Sequence, residues 1–361
     1  MNLGVSRKFL IKRVADDWAS LLTIFLGIVI STTLMVAAPV YFKALERVSL
    51  NVEIDGLMRP FSNIYVIAFN VPLTRDKLQG TNYLLEKSID RHIFPIYDRH
   101  ERFLIGGNYI AGLPTNPLPE SNSSGEGVSR AYFRSFSNFE DHVTFLEGRM
   151  ASSKVVSGHT GTMLEAVVSV NTSHLFSLRI GDVIIVAPDL ATKTRISARI
   201  VGIVDATNPN EDYWKPHASF FLDPPPPEES GDGSSQAILE LERSPLESAI
   251  LSRTEEASLE IQSEFDRTQP PVPLFIAQDA MADGVGGNYP GTLIDSLWFI
   301  QIETEPLKGW SIPEVRLRLE NFESQISRSI PGIDVFTGIS RILSGFEGRM
   351  FFSRIPLLLL L

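Results

Sequence analysis

The side chains in this sequence best suited to proton transfer or metal ligation are six histidines, His92, His100, His142, His159, His174 and His217. None stands at the short spacings from which paired ligands converge on one ion, so they read as surface or packing residues and no metal site is expected. Asp141-His142, and Asp212 close to His217, put an acid beside an imidazole, but neighbours in sequence without a nucleophile read as ordinary polar residues. No Gly-x-Ser-x-Gly nucleophile turn is present. Cysteine is absent altogether, which removes disulfides, thiolate metal sites and a thiol nucleophile together.

Nucleotide chemistry is equally poorly supplied. No glycine-rich phosphate loop followed by Lys and Ser or Thr occurs, so any ATP would be bound by a separate subunit and this chain itself is expected to carry no cofactor and no catalytic residue. Gly284-Val285-Gly286-Gly287 is rich in glycine, but it lacks the strand before and the helix after that such a loop needs, and it is read as a loop. Asn122-Ser123-Ser124 and Asn171-Thr172-Ser173 fit a glycosylation acceptor pattern that matters only on a eukaryotic secretory route. Trp214 and Trp298 are expected to be packing anchors.

With a net charge of -11 over 361 residues and no basic cluster, the chain is not a nucleic-acid binder, because phosphate neutralisation needs concentrated Lys and Arg. A hydrophobic share of 43% is enough to build real cores in two or three domains.

The element that decides the class lies near the start. From Trp18 to Phe42 there is no charged residue, and Leu21 to Val40 is dominated by Leu, Ile, Val, Phe and Ala. Such a run is roughly 37 Å long as a helix, against about 30 Å of bilayer hydrocarbon, so residues 18–42 are predicted to form a transmembrane helix. Trp18 at one end and Tyr41 with Phe42 at the other are the rings expected at the two headgroup levels. Thr23, Ser31, Thr32 and Thr33 can bond back onto the helix or across to another one. A cleaved export signal has an apolar core of only about 7–15 residues, shorter than this run, although Val36-Ala37-Ala38 is weakly cleavage-like.

Residues 1–17 carry Arg7, Lys8, Lys12 and Arg13, and the positive-inside rule places this basic amphipathic leader in the cytoplasm of a cell whose plasma or inner membrane holds the helix. At the other end Phe351-Phe352 and Leu357 to Leu361 read as the start of a second transmembrane helix over 347–361.

Between them, residues 43–346 are predicted to form an extracytoplasmic α+β domain. Ile64 to Ala68, Ala166 to Val170, Val183 to Val186 and Leu297 to Ile300 are short β-branched or aromatic runs, and Arg195 to Ile200 alternates as a half-buried strand does. Ser244-Pro245-Leu246-Glu247 and Ser311-Ile312-Pro313-Glu314 are helix-start signals, the second followed by Val315, Leu319, Phe322 and Ile326 on one face. Pro114 to Gly127 reads as a surface loop. The proline-rich, acidic stretch 223–236 reads as a linker that could separate subdomains 43–222 and 237–346.

Four pieces in order resemble the extracytoplasmic domain of MacB/FtsX-like ABC transporter permeases: Leu146-Glu147-Gly148-Arg149-Met150, Glu165 to Val170, Leu178-Arg179-Ile180-Gly181-Asp182-Val183-Ile184, and Ile200-Val201-Gly202-Ile203-Val204. In that family a "GR" turn is followed by a strand, a helix, an L-x-x-GD turn and a strand ending in VGI. Gly148, Arg149, Gly181, Asp182 and Gly202 are the matching positions, structural rather than catalytic.

The resemblance implies a MacB-like periplasmic core, a cytoplasmic ABC ATPase subunit as partner, a second permease copy or homologue, and a permease that couples ATP hydrolysis elsewhere to movement of the outer domain. Export, lipoprotein release and mechanotransmission are the functions it covers. A membrane-anchored binding or sensing domain without an ATPase is the competing reading, and a membrane-bound hydrolase a third.

Overall fold

A computed structural model of the chain describes residues 18–55, 63–118, 128–158, 161–214, 222 and 270–339. The 1–17 leader, the 223–236 stretch, the helix start at Ser244 and the 347–361 segment lie outside the described residues.

The described residues open with one uninterrupted helix, α1 (Trp18–Asp55), of 38 residues. Polar groups inside it turn back onto its own backbone as expected: Thr32 Oγ1 donates to Ile28 O at 2.8 Å and Thr33 Oγ1 to Val29 O at 2.6 Å. Among the described residues no helix is long and apolar enough to cross a membrane. The membrane assignment of this helix rests on its amino-acid sequence. Its described apolar side chains face outward, among them Phe25, Met35 and Val36.

The rest is a mixed α/β fold on an 11-stranded mixed sheet. Strand β1 (Ile64–Pro72), helix α2 (Arg75–His92) and strand β2 (Tyr97–Gly112) form the first half of one unit; β10 (Leu293–Ile302), helix α6 (Ile312–Ser329) and β11 (Ile333–Thr337) form the second. Neighbouring strands run β11-β1-β10-β2, each antiparallel to the next, the order of a ferredoxin-like β-α-β-β-α-β unit. Helices α2 and α6 pack side by side, joined by His92 Nε2 and Gln325 Oε1 at 2.6 Å. The buried stripe Val315, Leu319, Phe322 and Ile326 of α6 and the stripe Leu78, Leu85 and Ile89 of α2 close the core on the sheet.

Everything between β2 and β10 is an insertion into that unit. It contains β3 (Ser129–Phe136), the one-turn α3 (Phe139–His142), β4 (Val143–Gly148), β5 (Val156–Gly158), β6 (Gly161–Ser169), α4 (Val170–Phe176), β7 (Val183–Ala187), β8 (Ile196–Ala206) and β9 (Val272–Phe275). Strand β9 pairs parallel with β3 and meets β6, while β7 joins β8 to the far end of β2. The ladder β2-β3-β9-β6-β8-β7 therefore returns to β2 and closes into a ring. Strands from both sides of 223–236 interleave in the sheet, both in the ferredoxin-like unit and in the ring.

Two local readings are corrected. Gly284-Val285-Gly286-Gly287 is not a loop: α5 (Gln278–Ala280) continues directly into a π-helical turn, Met281–Gly286. Without a side chain Gly286 lets this turn press onto β1's end, where a Cβ would come within 2.1 Å of Leu73 O. Helix α6 starts at the expected place, but the Ser311 side chain makes no capping bond, and Glu314 turns instead to Arg318 at 3.2 Å.

Candidate functional site

The positions singled out by sequence meet on three successive residues of β8. Gly148, the last residue of β4, stands opposite Gly202 in antiparallel register. Arg149 N–H donates to Val201 O at 3.0 Å. On the same edge of β8, Gly181 N–H donates to Ile200 O at 2.8 Å and Asp182 O accepts from Ile200 N–H at 2.9 Å. Two segments thus dock end to end along Ile200–Gly202, one from the "GR" turn and one from the "GD" turn.

The side chains there hold the turns. Asp182 Oδ2 accepts the Arg179 N–H at 2.8 Å, which closes the Leu178–Asp182 turn with Gly181 at φ +95°. Arg149 grips Glu165 of β6 in two parallel bonds, at 2.7 and 2.6 Å, and Glu165 also accepts the Ser152 N–H at 2.9 Å. The Arg149 guanidinium holds the Glu165 carboxyl down at about 2. Nothing in this cluster is nucleophilic or proton-transferring; it is a structural clasp.

The rings expected at membrane headgroup level are far apart on α1: Trp18 and Tyr41 are exposed, and the side chain of Phe42 lies outside the described residues.

A second group of polar residues, which sequence reasoning did not join, lies where α2 crosses β2. A cleft of about 270 Å³ opens there, lined by Gln79, Asn82 and Glu86 of α2, His100 and Arg102 of β2, and Gln278 among others. His100 and Arg102 share one face of the strand by its alternation. Arg102 is 5% exposed and bonds Ser296 Oγ at 3.1 Å, Leu78 O at 2.9 Å and Thr81 Oγ1 at 3.3 Å. Its guanidinium lies 4.9 Å from the centre of the Trp298 ring. Burial pulls its pKa down to about 10, partly offset by Glu86. Burial also lowers His100, whose Nδ1 meets the Tyr97 hydroxyl at 2.9 Å.

No protein-family model matches the sequence, and no curated protein matches it at a significant level. The geometry of this chain is therefore the ground for any functional reading.

On the opposite face of β2, Glu101 is buried and accepts from Ser137 Oγ at 2.7 Å and Asn138 Nδ2 at 3.0 Å. Nearby the His142 ring stacks on Tyr213 with centroids 3.6 Å apart, and its Nδ1 meets Glu211 Oε1 at 2.5 Å. His142 is thus part of an aromatic cluster with Tyr213, Trp214, Phe139 and Phe275, not an exposed neighbour of Asp141. Trp214 and Trp298 are buried anchors, as expected. Among the described residues no group of three or more His, Asp or Glu could hold a metal ion.

The sequence signal for the cleft was weak but present: Arg102 lies inside a strand-like run, where a charged residue at a core-facing position asks for a partner. Glu86, sixteen residues away on another element, had no local mark tying it to Arg102.

Proposed function

We propose that this chain is the membrane-tethered, outer-domain portion of a permease of the MacB/FtsX type, in which α1 crosses the bilayer and transmits movement to the α/β domain. One observation carries the reading: the uncharged stretch 18–42 and the charged stretch 43–55, with Lys43, Glu46, Arg47, Glu53 and Asp55, belong to a single unbroken helix. The second stretch adds roughly 20 Å beyond the lipid. It would carry the tilt of the first outward without a hinge.

Helix α1 contacts the rest of the fold at the 3₁₀ turn Pro306–Gly309, just before α6, so displacement of α1 is delivered to one of the two helices that cover the sheet. The clasp at Ile200–Gly202 supports the same family reading, because the four resembling pieces form one tertiary contact rather than scattered turns. Closure of an ATPase dimer in the cytoplasm would supply the free energy, and the outer domain would push, release or activate a target outside.

The test is capture of the native chain from its own membranes in lipid nanodiscs, with and without a non-hydrolysable ATP analogue. Co-capture of a stoichiometric ABC ATPase supports the proposal; reproducible recovery of the chain with no ATPase sinks it. The second reading, a membrane-anchored sensing domain, is favoured by the cleft beside Arg102, which has the polar lining of a small-ligand site.

A further inference from the structure

Strand β4 ends the sheet on one side. Among the described residues it pairs with β8 alone, and its Thr144, Leu146, Glu147 and Gly148 are exposed. The register tells which backbone groups face outward: His142 O accepts from Thr207 N–H at 3.0 Å, so the alternation of an antiparallel ladder turns the N–H and C=O of Val143 and Phe145 away from β8. A bulge follows Phe145, and Leu146 there is 55% exposed. The other strands with a single neighbour offer less, since β11 is half-buried along four of its residues and β5 has only three.

The surroundings of this edge are acidic. Between Ser137 and Gly148, and again between Ile200 and Trp214, there is no Lys or Arg, against Glu140, Asp141, Glu147, Asp205, Glu211 and Asp212. The first four are exposed, and among the described residues none of those four is in an ion pair. Asp205 stands opposite Thr144 of β4. Burial, and after it the charges of Glu101, Glu211 and Asp141, push the Tyr213 hydroxyl well above its ordinary range, so the negative field reaches the turn beside the edge. Arg149, the first cation after β4, is already held by Glu165.

An edge of this kind repels a second copy of itself. Two chains pairing through β4 would bring Glu140, Asp141 and Glu147 of one against those of the other, and like charges across a strand pair are destabilising. An extended segment carrying Lys or Arg gains from the same charges, while its backbone bonds to Val143 and Phe145 and an apolar side chain covers Leu146. We propose that β4 is a docking edge, to which a partner protein adds a basic, extended segment as a further strand of the sheet. The proposal does not depend on the permease reading, because strand addition needs neither an ATPase nor a bilayer.

The experiment uses the full chain in phosphatidylcholine nanodiscs, with empty nanodiscs as the blank, and a fluorescent short peptide of alternating Lys and Val as the probe. Saturable binding below about 1 mM is expected by anisotropy, with slowed amide exchange at Val143 and Phe145. A peptide of alternating Glu and Val is expected not to bind at about 10 mM, and the Lys-Val peptide with alternate backbone nitrogens methylated, equal in charge but unable to pair as a strand, is expected to bind at least roughly tenfold more weakly. Glu140→Gln, Asp141→Asn and Glu147→Gln combined, all at exposed positions, should weaken the Lys-Val peptide at least roughly tenfold while leaving thermal unfolding in place. The proposal is overturned if the Lys-Val peptide does not bind at about 10 mM, if the methylated or the acidic peptide binds as tightly, if exchange at Val143 and Phe145 is unchanged in the bound state, or if the combined variant binds as the unaltered chain does.

Discussion

Gly148 on β4 and Gly202 on β8 face each other across an antiparallel pair, and each sits against the carbonyl that follows or precedes its partner: a Cβ on Gly148 would come within 2.0 Å of Val201 O, and one on Gly202 within 2.4 Å of Arg149 O. Backbone carbonyls cannot rotate away as a flexible side chain can. The close approach explains why both positions are glycine, and it separates them from Gly181, which needs glycine for its φ of +95° alone and has no atom within 4 Å of an added Cβ.

Three glycine-to-alanine substitutions are therefore expected to differ. Gly148→Ala combines a positive φ with the clash and Gly202→Ala has the clash alone; each is expected to cost roughly 3 kcal/mol or more. Gly181→Ala carries only the backbone term, about 1–2 kcal/mol. Denaturant midpoints followed by the fluorescence of the buried Trp298 and Trp214 would rank them; equal losses at all three would remove the close-packing argument.

The Arg149 to Glu165 grip makes stability depend on acid pH. Glu165 is held at about 2 in the folded chain, below its ordinary 4.5, so its contribution is fully present above about pH 4.5 and is lost as pH falls toward 2. The stability difference between the unaltered chain and Glu165→Gln is expected to be constant from pH 7 to about 5 and to shrink below that. The grip is largely solvent-exposed on the Arg149 side, which keeps the difference modest. A difference that is the same at pH 3 as at pH 7 would contradict the pairing.

Helix α6 tests how the ferredoxin-like unit is held. Phe322 is fully buried against α2 and the sheet, and Leu317 on the other side of the same helix is 58% exposed. Phe322→Ala is expected to destabilise by about 3–5 kcal/mol and Leu317→Ala to change stability within about 0.5 kcal/mol. The same denaturation experiment reads both.

Tyr213 ties the aromatic cluster to the turn that follows β3. Its hydroxyl donates to Ser137 O at 2.9 Å, and burial raises its pKa well above the ordinary value. Tyr213→Phe removes that bond and leaves Ser137 O without it, an expected loss of about 1–2 kcal/mol. Alkaline absorbance titration should then show no missing tyrosinate in the folded range, since Tyr213 does not ionise before unfolding.

The sequence carried a good part of this fold and little of its connectivity. The β-branched runs at Ile64, Val183, Ile196 and Leu297 became strands β1, β7, β8 and β10, and the stripe Val315, Leu319, Phe322, Ile326 became the buried face of α6. Those signals are periodic and local. What they lacked was partner choice: β9 is only four residues, Val272–Phe275, and nothing in them tells that they wedge between β3 and β6. The glycine run at 284 reads as a loop because glycine is a poor helix former in isolation, while here the π turn is fixed by packing on Leu73 and Leu164. The motif glycines were picked one by one, and their meeting on β8 is a tertiary fact. Arg102 and Glu86 were not joined at all, because a cleft between a helix and a strand leaves no spacing to read.

The central claim is that α1 runs from lipid into water without a break, and the absence of cysteine makes it directly measurable. Single substitutions Ile28→Cys, Met35→Cys, Val48→Cys and Val52→Cys place one thiol each on exposed positions along the helix. In intact membrane vesicles a membrane-impermeant maleimide is expected to label Val48→Cys and Val52→Cys and to leave Ile28→Cys and Met35→Cys unreacted until detergent is added. Labelling of Ile28→Cys in intact vesicles as fast as Val52→Cys would contradict the account.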